Sequence, residues 1–193
     1  MLRLLVITLL LPWLLPWLLP MALANDTARV ERVQVSHQPN GWYLDADLDF
    51  TLNPQLRGVA ERGLSLYFSA DLIVSQPRWW WLDRRVLQAE RVWSISYNAL
   101  IRQWRVSAGS LALPVSSLDE ALGIVRRIRG WRFAEADALD PDETYTARLR
   151  LRLDVSQLSR PFQVNALNSS AWALATPWHD FRIAPNLLES WQP

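Results

Sequence analysis

The segment from residue 148 to residue 154 alternates arginine with an apolar residue, as Arg148-Leu149-Arg150-Leu151-Arg152-Leu153-Asp154. Successive side chains of a β-strand point to opposite faces, so this pattern gives one apolar face and one charged face. Residues 42–51 repeat the alternation, with Leu44, Ala46 and Leu48 in one phase. Both segments predict strands that are covered on one side only, which is typical of antiparallel sheets.

Similar short runs, separated by turn residues, predict a mainly β chain of about seven strands. A bulge is expected at Ala108-Gly109-Ser110, because the apolar phase changes there from Trp104 and Val106 to Leu111 and Leu113. We place the strands at residues 28–36, 42–51, 64–76, 86–97, 102–113, 143–155 and 178–184.

Two helices are predicted between the strands. A short helix begins at Pro54, after the capping residue Asn53. A longer helix spans residues 118–129 and begins with a capping box formed by Ser117 and Glu120. These two helices are accessory to the sheets.

Short connections between consecutive strands predict antiparallel pairing. The expected fold is an immunoglobulin-like β-sandwich of about seven strands with two accessory helices, and a β-barrel-like fold is the alternative, because this number of strands can close either way. Residues 159–170 are expected to form a long crossing segment. The single β-rich domain should span residues 25–185, followed by a C-terminal tail at residues 186–193.

The N-terminal residues predict a cleavable signal peptide at residues 1–24. Arg3 precedes an apolar run at residues 4–19, and Ala22-Leu23-Ala24 supplies the small residues that signal peptidase requires, so cleavage is expected after Ala24. The alternative, an uncleaved anchor, is disfavoured because prolines interrupt the run at Pro12, Pro16 and Pro20. An exported, soluble protein is expected.

Two features of composition exclude classes of function. The chain has no cysteine, so neither a disulfide nor a lipid-anchoring cysteine is available. Every basic residue is arginine, and loss of Arg3 with the signal peptide leaves 19 arginines against 19 acidic residues. A neutral domain lacks the basic surface that nucleic-acid binding requires.

Motifs for catalysis are missing from the sequence. The two histidines, His37 and His179, are far apart, and the acidic run at residues 45–49 lacks the glycine and distal glutamate of a calcium loop. No nucleophile elbow or glycine-rich phosphate loop is present. We therefore expect no catalytic residue, metal or cofactor.

Two rows of charge lie on the polar faces of the alternating strands. If these strands are neighbours, the rows form a cross-strand charge ladder. A row of arginines that binds a ligand is the functional alternative. The residues concerned are Asp45, Asp47 and Asp49 in one row and Arg148, Arg150 and Arg152 in the other.

Three consecutive tryptophans lie at a predicted strand connection, flanked by arginines. Adjacent strand residues point to opposite faces, so three in a row cannot all enter one core. They either cover the core and stack on arginine, or contact a partner, because tryptophan and arginine are enriched in binding hot spots. This candidate interaction surface comprises Arg78, Trp79, Trp80, Trp81 and Arg84.

The order of several motifs resembles a bacterial family of exported proteins labelled domain of unknown function 4390. The resemblance implies a periplasmic setting and suggests an accessory role beside a membrane sensor kinase; it implies no catalytic residue. The motifs are Pro77-Arg78-Trp79-Trp80-Trp81, Trp93-Ser94-Ile95-Ser96-Tyr97-Asn98, Arg102-Gln103-Trp104-Arg105-Val106-Ser107, Ser117-Leu118-Asp119-Glu120-Ala121-Leu122, Ala136-Asp137-Ala138-Leu139-Asp140-Pro141, residues 148–154 and Pro161-Phe162-Gln163-Val164-Asn165-Ala166-Leu167.

The sequence thus predicts a non-enzymatic periplasmic binding or adaptor domain that contacts an envelope membrane protein, with the tryptophan connection as its contact surface. The alternative is a periplasmic carrier that holds a lipid or other apolar ligand between its sheets.

Overall fold

The computed structural model describes residues 28–78, 83–158, 160–167 and 169–188. The predicted signal peptide, residues 1–24, lies outside this part of the chain. The expected mainly β architecture is confirmed, because the described strands form two antiparallel sheets.

The described residues form nine strands and three α-helices. The strands are β1 (Ala28–Gln38), β2 (Gly41–Phe50), β3 (Leu66–Gln76), β4 (Arg84–Asn98), β5 (Gln103–Ala108), β6 (Leu111–Val115), β7 (Arg127–Ala134), β8 (Tyr145–Leu153) and β9 (His179–Ile183). The helices are α1 (Pro54–Glu61), α2 (Leu118–Arg126) and α3 (Arg160–Leu167).

The smaller sheet has three strands in the order β1-β2-β7, and the larger sheet has six in the order β6-β5-β4-β3-β8-β9. All the neighbouring strands are antiparallel. The described strands leave both sheets open at their edges, so the molecule is a sandwich and not the barrel-like alternative.

The strand predicted at residues 102–113 is in fact a hairpin. Gly109 has a positive φ of 58° and lies in the turn between β5 and β6. Glycine adopts this left-handed conformation without steric cost, whereas most other residues do not. The change of apolar phase therefore marks a reversal of the chain and not the predicted bulge.

The second helix is shorter than predicted, because it ends at Arg126 and the chain continues directly as β7. Ile128 fits the apolar stripe of the predicted helix, but in the structure it is buried as a strand residue opposite Ala46 of β2. Gly130, the residue after the predicted helix, has a positive φ of 54° within β7. The sequence prediction missed this strand.

Two other segments are more ordered than expected. The predicted crossing segment contains α3. The predicted C-terminal tail begins in a 3-10 turn, Pro185–Leu187, and Leu188 packs against the core.

The core lies between the two sheets and is built from their inward phases. The rings of Phe50 on β2 and Phe68 on β3 are 5.6 Å apart, centre to centre, and both side chains are fully buried. Trp42, Leu44 and Leu72 are also fully buried. Burial of this apolar surface is the main favourable contribution to folding.

Helix α2 covers part of the inner face of the larger sheet and also contacts the smaller sheet at β2 and β7. Helix α2 packs against β4, β5 and β6 and buries Leu118, Leu122 and Val125. One half of the predicted capping box forms, since the Ser117 hydroxyl accepts a hydrogen bond from the Glu120 backbone N–H at 3.1 Å. The Glu120 carboxylate accepts its hydrogen bond from the Ser116 backbone N–H, at 2.8 Å, and not from that of Ser117. Among the described residues, no helix is long and apolar enough to cross a membrane.

We predict that Phe68→Ala lowers the free energy of unfolding by about 3–5 kcal/mol, because it leaves a cavity between the sheets. Chemical denaturation measures this change. Phe162→Ala is the matched control, since the Phe162 side chain is 37% exposed and its loss should change stability by less than about 0.5 kcal/mol. Equal effects of the two variants would contradict the assigned core.

Candidate functional site

The predicted charge ladder does not form, because its two rows lie in different sheets. Strand β2, which carries the aspartates, pairs with β1 and β7. Strand β8, which carries the arginines, pairs with β3 and β9. Alternation correctly gave the polar face of each strand but not the neighbour of that strand.

The aspartates of β2 instead lie close to residues of the smaller sheet, mainly arginines. Asp47 forms ion pairs with Arg32 at 3.0 Å and with Arg129, and Asp49 pairs with Arg29 at 2.9 Å. The hydrogen bond from Arg129 is the main cause that holds the pKa of Asp47 below its ordinary value. Asp45 accepts a hydrogen bond from the Gly130 backbone N–H at 2.6 Å. This row stabilises the pairing of the smaller sheet.

The arginines of β8 lie on the outer face of the larger sheet, and two of them belong to an ion-pair cluster. Asp71 Oδ2 lies 2.9 Å from Arg150 Nε and 3.0 Å from Arg152 Nε. Arg152 also contacts Glu90 at 3.0 Å and Asp154 at 3.1 Å. We call these five residues the paired cluster. The cluster holds two arginines and three carboxylates, so both of its guanidiniums are paired. The buried Ser69 hydroxyl donates a hydrogen bond to Glu90 at 2.5 Å.

Asp154 is the most buried carboxylate of the paired cluster, at 6% exposure. Burial raises its pKa, but hydrogen bonds from the Ser156 side chain and backbone, together with Arg152, outweigh burial and leave the pKa lowered. The ionised form is therefore stabilised in the folded protein.

Trp178 lies between the paired cluster and the rest of the outer face. The guanidinium carbon of Arg150 is 4.4 Å from the centre of the Trp178 ring, and that of Arg148 is 4.8 Å from it. Cation–π contacts of this kind hold a guanidinium plane in place without neutralising its charge. Arg148 is thus oriented but keeps its hydrogen-bond donors.

Beyond Trp178, the outer face contains a groove of about 770 Å³ across β9, β8, β3 and β4. Strand register puts Arg182 opposite Thr146, Thr146 opposite Ser75, and Ser75 opposite Arg85. We call the groove lined by Ser75, Asp83, Arg85, Thr146, Arg148, Asp180 and Arg182 the Arg-rich groove.

Three guanidiniums in the Arg-rich groove have no carboxylate partner within 4 Å among the described residues. Arg85 donates to Gln88 at 3.2 Å, Arg148 stacks on Trp178, and Arg182 is exposed. Guanidinium groups bind carboxylates and phosphates through paired N–H donors. The groove is therefore suited to an anionic group of a partner.

The described residues that flank the predicted tryptophan surface lie at this end of the sheet. Arg78 and Arg84, its flanking residues, are exposed, and Asp83 lines the Arg-rich groove. Trp79, Trp80 and Trp81 lie outside the described residues. Their proposed contact role stays a prediction from the sequence.

Residues 25–182 match the model of a protein family described as Domain of unknown function (DUF4390). The chain belongs to this family. Comparison with curated proteins and with solved structures found no match. Membership of the family confirms the resemblance seen in the motifs and assigns no activity.

Sequence reasoning singled out Arg148 but missed Arg85 and Arg182 as its neighbours. A signal was present, because Asp180 and Arg182 share one phase of the predicted last strand. What the sequence lacks is the strand order that brings the last strand beside β8. Within the described ranges, no group of three or more histidine, cysteine or acidic residues could hold a metal ion.

We predict that Asp154→Asn lowers the free energy of unfolding at pH 7 by about 1.5–3 kcal/mol, through loss of the charged contacts. A lowered carboxylate pKa stabilises the fold above the unfolded value, about 3.9, and this contribution disappears as the pH falls through the folded value. Denaturation at pH 7 and pH 3 should therefore show a smaller difference from wild type at pH 3.

The matched control is Asp137→Asn, because Asp137 is exposed and no contact of its side chain is described. It should leave stability unchanged at both pH values. A loss of stability in Asp154→Asn that is the same at pH 7 and pH 3 would show that its charge does not stabilise the fold.

Proposed function

We propose that this protein is a non-enzymatic binding or adaptor domain of the periplasm, exported by its signal peptide, that contacts an envelope membrane protein. The observation that carries the proposal is the Arg-rich groove, in which Arg85, Arg148 and Arg182 share one face without a described carboxylate partner. Its chemistry fits an acidic segment of a protein partner.

The contrast between the two halves of the outer face supports this assignment. In the paired cluster, Arg150 and Arg152 are neutralised by Asp71, Glu90 and Asp154 of the same chain. In the groove, Asp83 and Asp180 are present but form no ion pair with the arginines among the described residues. The unpaired donors are available to a partner at no cost of breaking an internal pair.

The tryptophan connection, predicted from the sequence, would add an apolar element beside the described residues Arg78 and Asp83. Buried tryptophan and arginine side chains contribute most of the binding energy in many interfaces. A groove that pairs with acidic residues, beside a tryptophan-rich loop, would combine electrostatic orientation with apolar burial. The family resemblance suggests a membrane sensor kinase as the envelope partner.

The carrier alternative has less support from the described residues. Large fully buried side chains, including Trp42, Phe50 and Phe68, fill the space between the two sheets. A ligand enclosed at the centre of the sandwich would have to displace them, and close-packed cores resist such a change.

We predict that Arg148→Glu combined with Arg182→Glu reduces recovery of the membrane partner at least tenfold. The measurement is quantitative mass spectrometry after affinity purification from gently solubilised envelope. The reason is that both substitutions replace an attractive charge by a repulsive one at the contact. Simultaneous replacement of Trp79, Trp80 and Trp81 by alanine should also reduce recovery.

The control is Arg62→Glu combined with Arg105→Glu, which makes the same change in net charge at two exposed positions outside the groove. It should recover the partner at the wild-type level, and circular dichroism should confirm that all variants are folded. Wild-type recovery by the Arg148 and Arg182 variant would overturn the proposal. A lipid enclosed at the centre of the sandwich in the purified wild type, without a protein partner, would favour the carrier.

A further inference from the structure

A second unusual arginine lies on the opposite, inward face of the larger sheet. Arg91 of β4 is in register with Ala70 of β3, in the same phase as the buried residues Trp93 and Ile95. Its guanidinium carbon is 5.3 Å from the centre of the Trp93 ring. A cation thus occupies a position at which the alternation of the strand predicts an apolar side chain.

Arg91 has no counter-charge among the described residues. It is half-buried, and burial lowers the pKa of its guanidinium, with no carboxylate acting in the opposite direction. Removal of a cation from water is unfavourable unless an anion and hydrogen bonds compensate. The contact with Trp93 compensates only in part.

The space in front of Arg91 is a cleft of about 190 Å³ at the side of the sandwich, between β4–β6 and the segment where α2 meets β7. This volume is equivalent to about six water molecules in the liquid. Its floor is formed by Trp93 and Ile128, and its outer lip by Leu111 and Leu113. The cleft therefore presents apolar walls around a half-buried cation.

The lip of the cleft presents two exposed leucines. Leu111 is 57% exposed and Leu113 is 41% exposed, and both belong to β6, an edge strand of the larger sheet. An apolar group seated in the cleft would contact them and remove their surface from water.

Two other arginines around the cleft help to indicate which charge a bound ligand would carry. Arg129 is already engaged by Asp47 and by the Ala46 carbonyl oxygen at 2.9 Å. Arg127 lines the cleft, is exposed, and has no described ion pair. The half-buried Arg91 favours an anionic group at the inner end of the ligand, and the exposed Arg127 adds positive charge to the lining.

We infer that this cleft binds a small apolar anion, whose carboxylate pairs with Arg91 while its aliphatic body lies against Trp93, Leu111 and Leu113. The site is independent of the proposed adaptor function, because Arg91 faces inward and the Arg-rich groove lies on the outer face of the same sheet. A medium-chain fatty acid has the required combination of one anionic end and one short apolar body.

Octanoate is the probe, and isothermal titration calorimetry measures its binding to the mature protein below its micelle-forming concentration. Octanol carries the same chain without the charge and should bind at least tenfold more weakly than octanoate. Octyl phosphate distinguishes a carboxylate site from a site for the phosphate of a lipid headgroup. Stronger binding of octyl phosphate would overturn the assignment to a carboxylate.

Arg91→Met keeps the aliphatic stem and removes the charge. We expect it to weaken octanoate binding at least tenfold and to leave octanol binding within twofold. The ligand-free variant should melt at a higher temperature than wild type, because the uncompensated cation is gone. It should also lose the rise in melting temperature that octanoate gives the wild type.

Arg105→Met is the matched control, because Arg105 is exposed in the outward phase of β5, a strand that lines the cleft with its other face. It should bind octanoate like the wild type. Two results would overturn the inference. One is equal octanoate binding by wild type and Arg91→Met. The other is no binding to wild type up to 1 mM octanoate, since a dissociation constant of 1 mM corresponds to a binding free energy of about −4 kcal/mol.

Discussion

Apolar contact between two sheets of unequal width is the interaction on which the rest of this structure depends. Without cysteine the chain has no covalent cross-link, so the packing of Phe50 against Phe68 and of the residues around them must hold the sheets together. Three strands cannot cover six. Helix α2 covers part of the remaining inner face, and the Arg91 cleft lies where this cover ends. Because the two sheets differ in width, their packing produces both the core and the Arg91 cleft at its side.

The outer face of the larger sheet follows from the same alternation that builds the core. In β8 the buried apolar residues alternate with residues that face water, and three of these outward residues are arginines. In the paired cluster, the exposed ion pairs contribute little individually, about 0–1 kcal/mol each, and mainly fix register. The buried Asp154 is the exception and contributes more to stability. In the other half of the face, Arg148 and Arg182 have no such carboxylate partner among the described residues, and these unpaired guanidiniums are the physical basis of the proposed function.

The sequence predicted which face of each strand is buried more accurately than it predicted which strands pair with each other. The arginine–leucine alternation of β8 placed Leu149 and Leu151 in the core correctly, because the period of a strand depends only on local geometry. The charge ladder was wrong because strand order depends on long-range packing that no local pattern encodes. Strand β7 was missed because Ile128 suits a helical stripe as well as a strand. Arg91 was overlooked although a charge in an apolar phase is visible in the sequence.

The central claim is that the outer face of the larger sheet meets an envelope protein at the Arg-rich groove. Site-specific photo-crosslinking in living cells tests it most directly, with a photoreactive amino acid at position 182 in the groove and, as control, at position 105 on the same face outside the groove. The account predicts a crosslink to a membrane protein from position 182 and none from position 105. Equal crosslinking from both positions, or none from position 182, would contradict it.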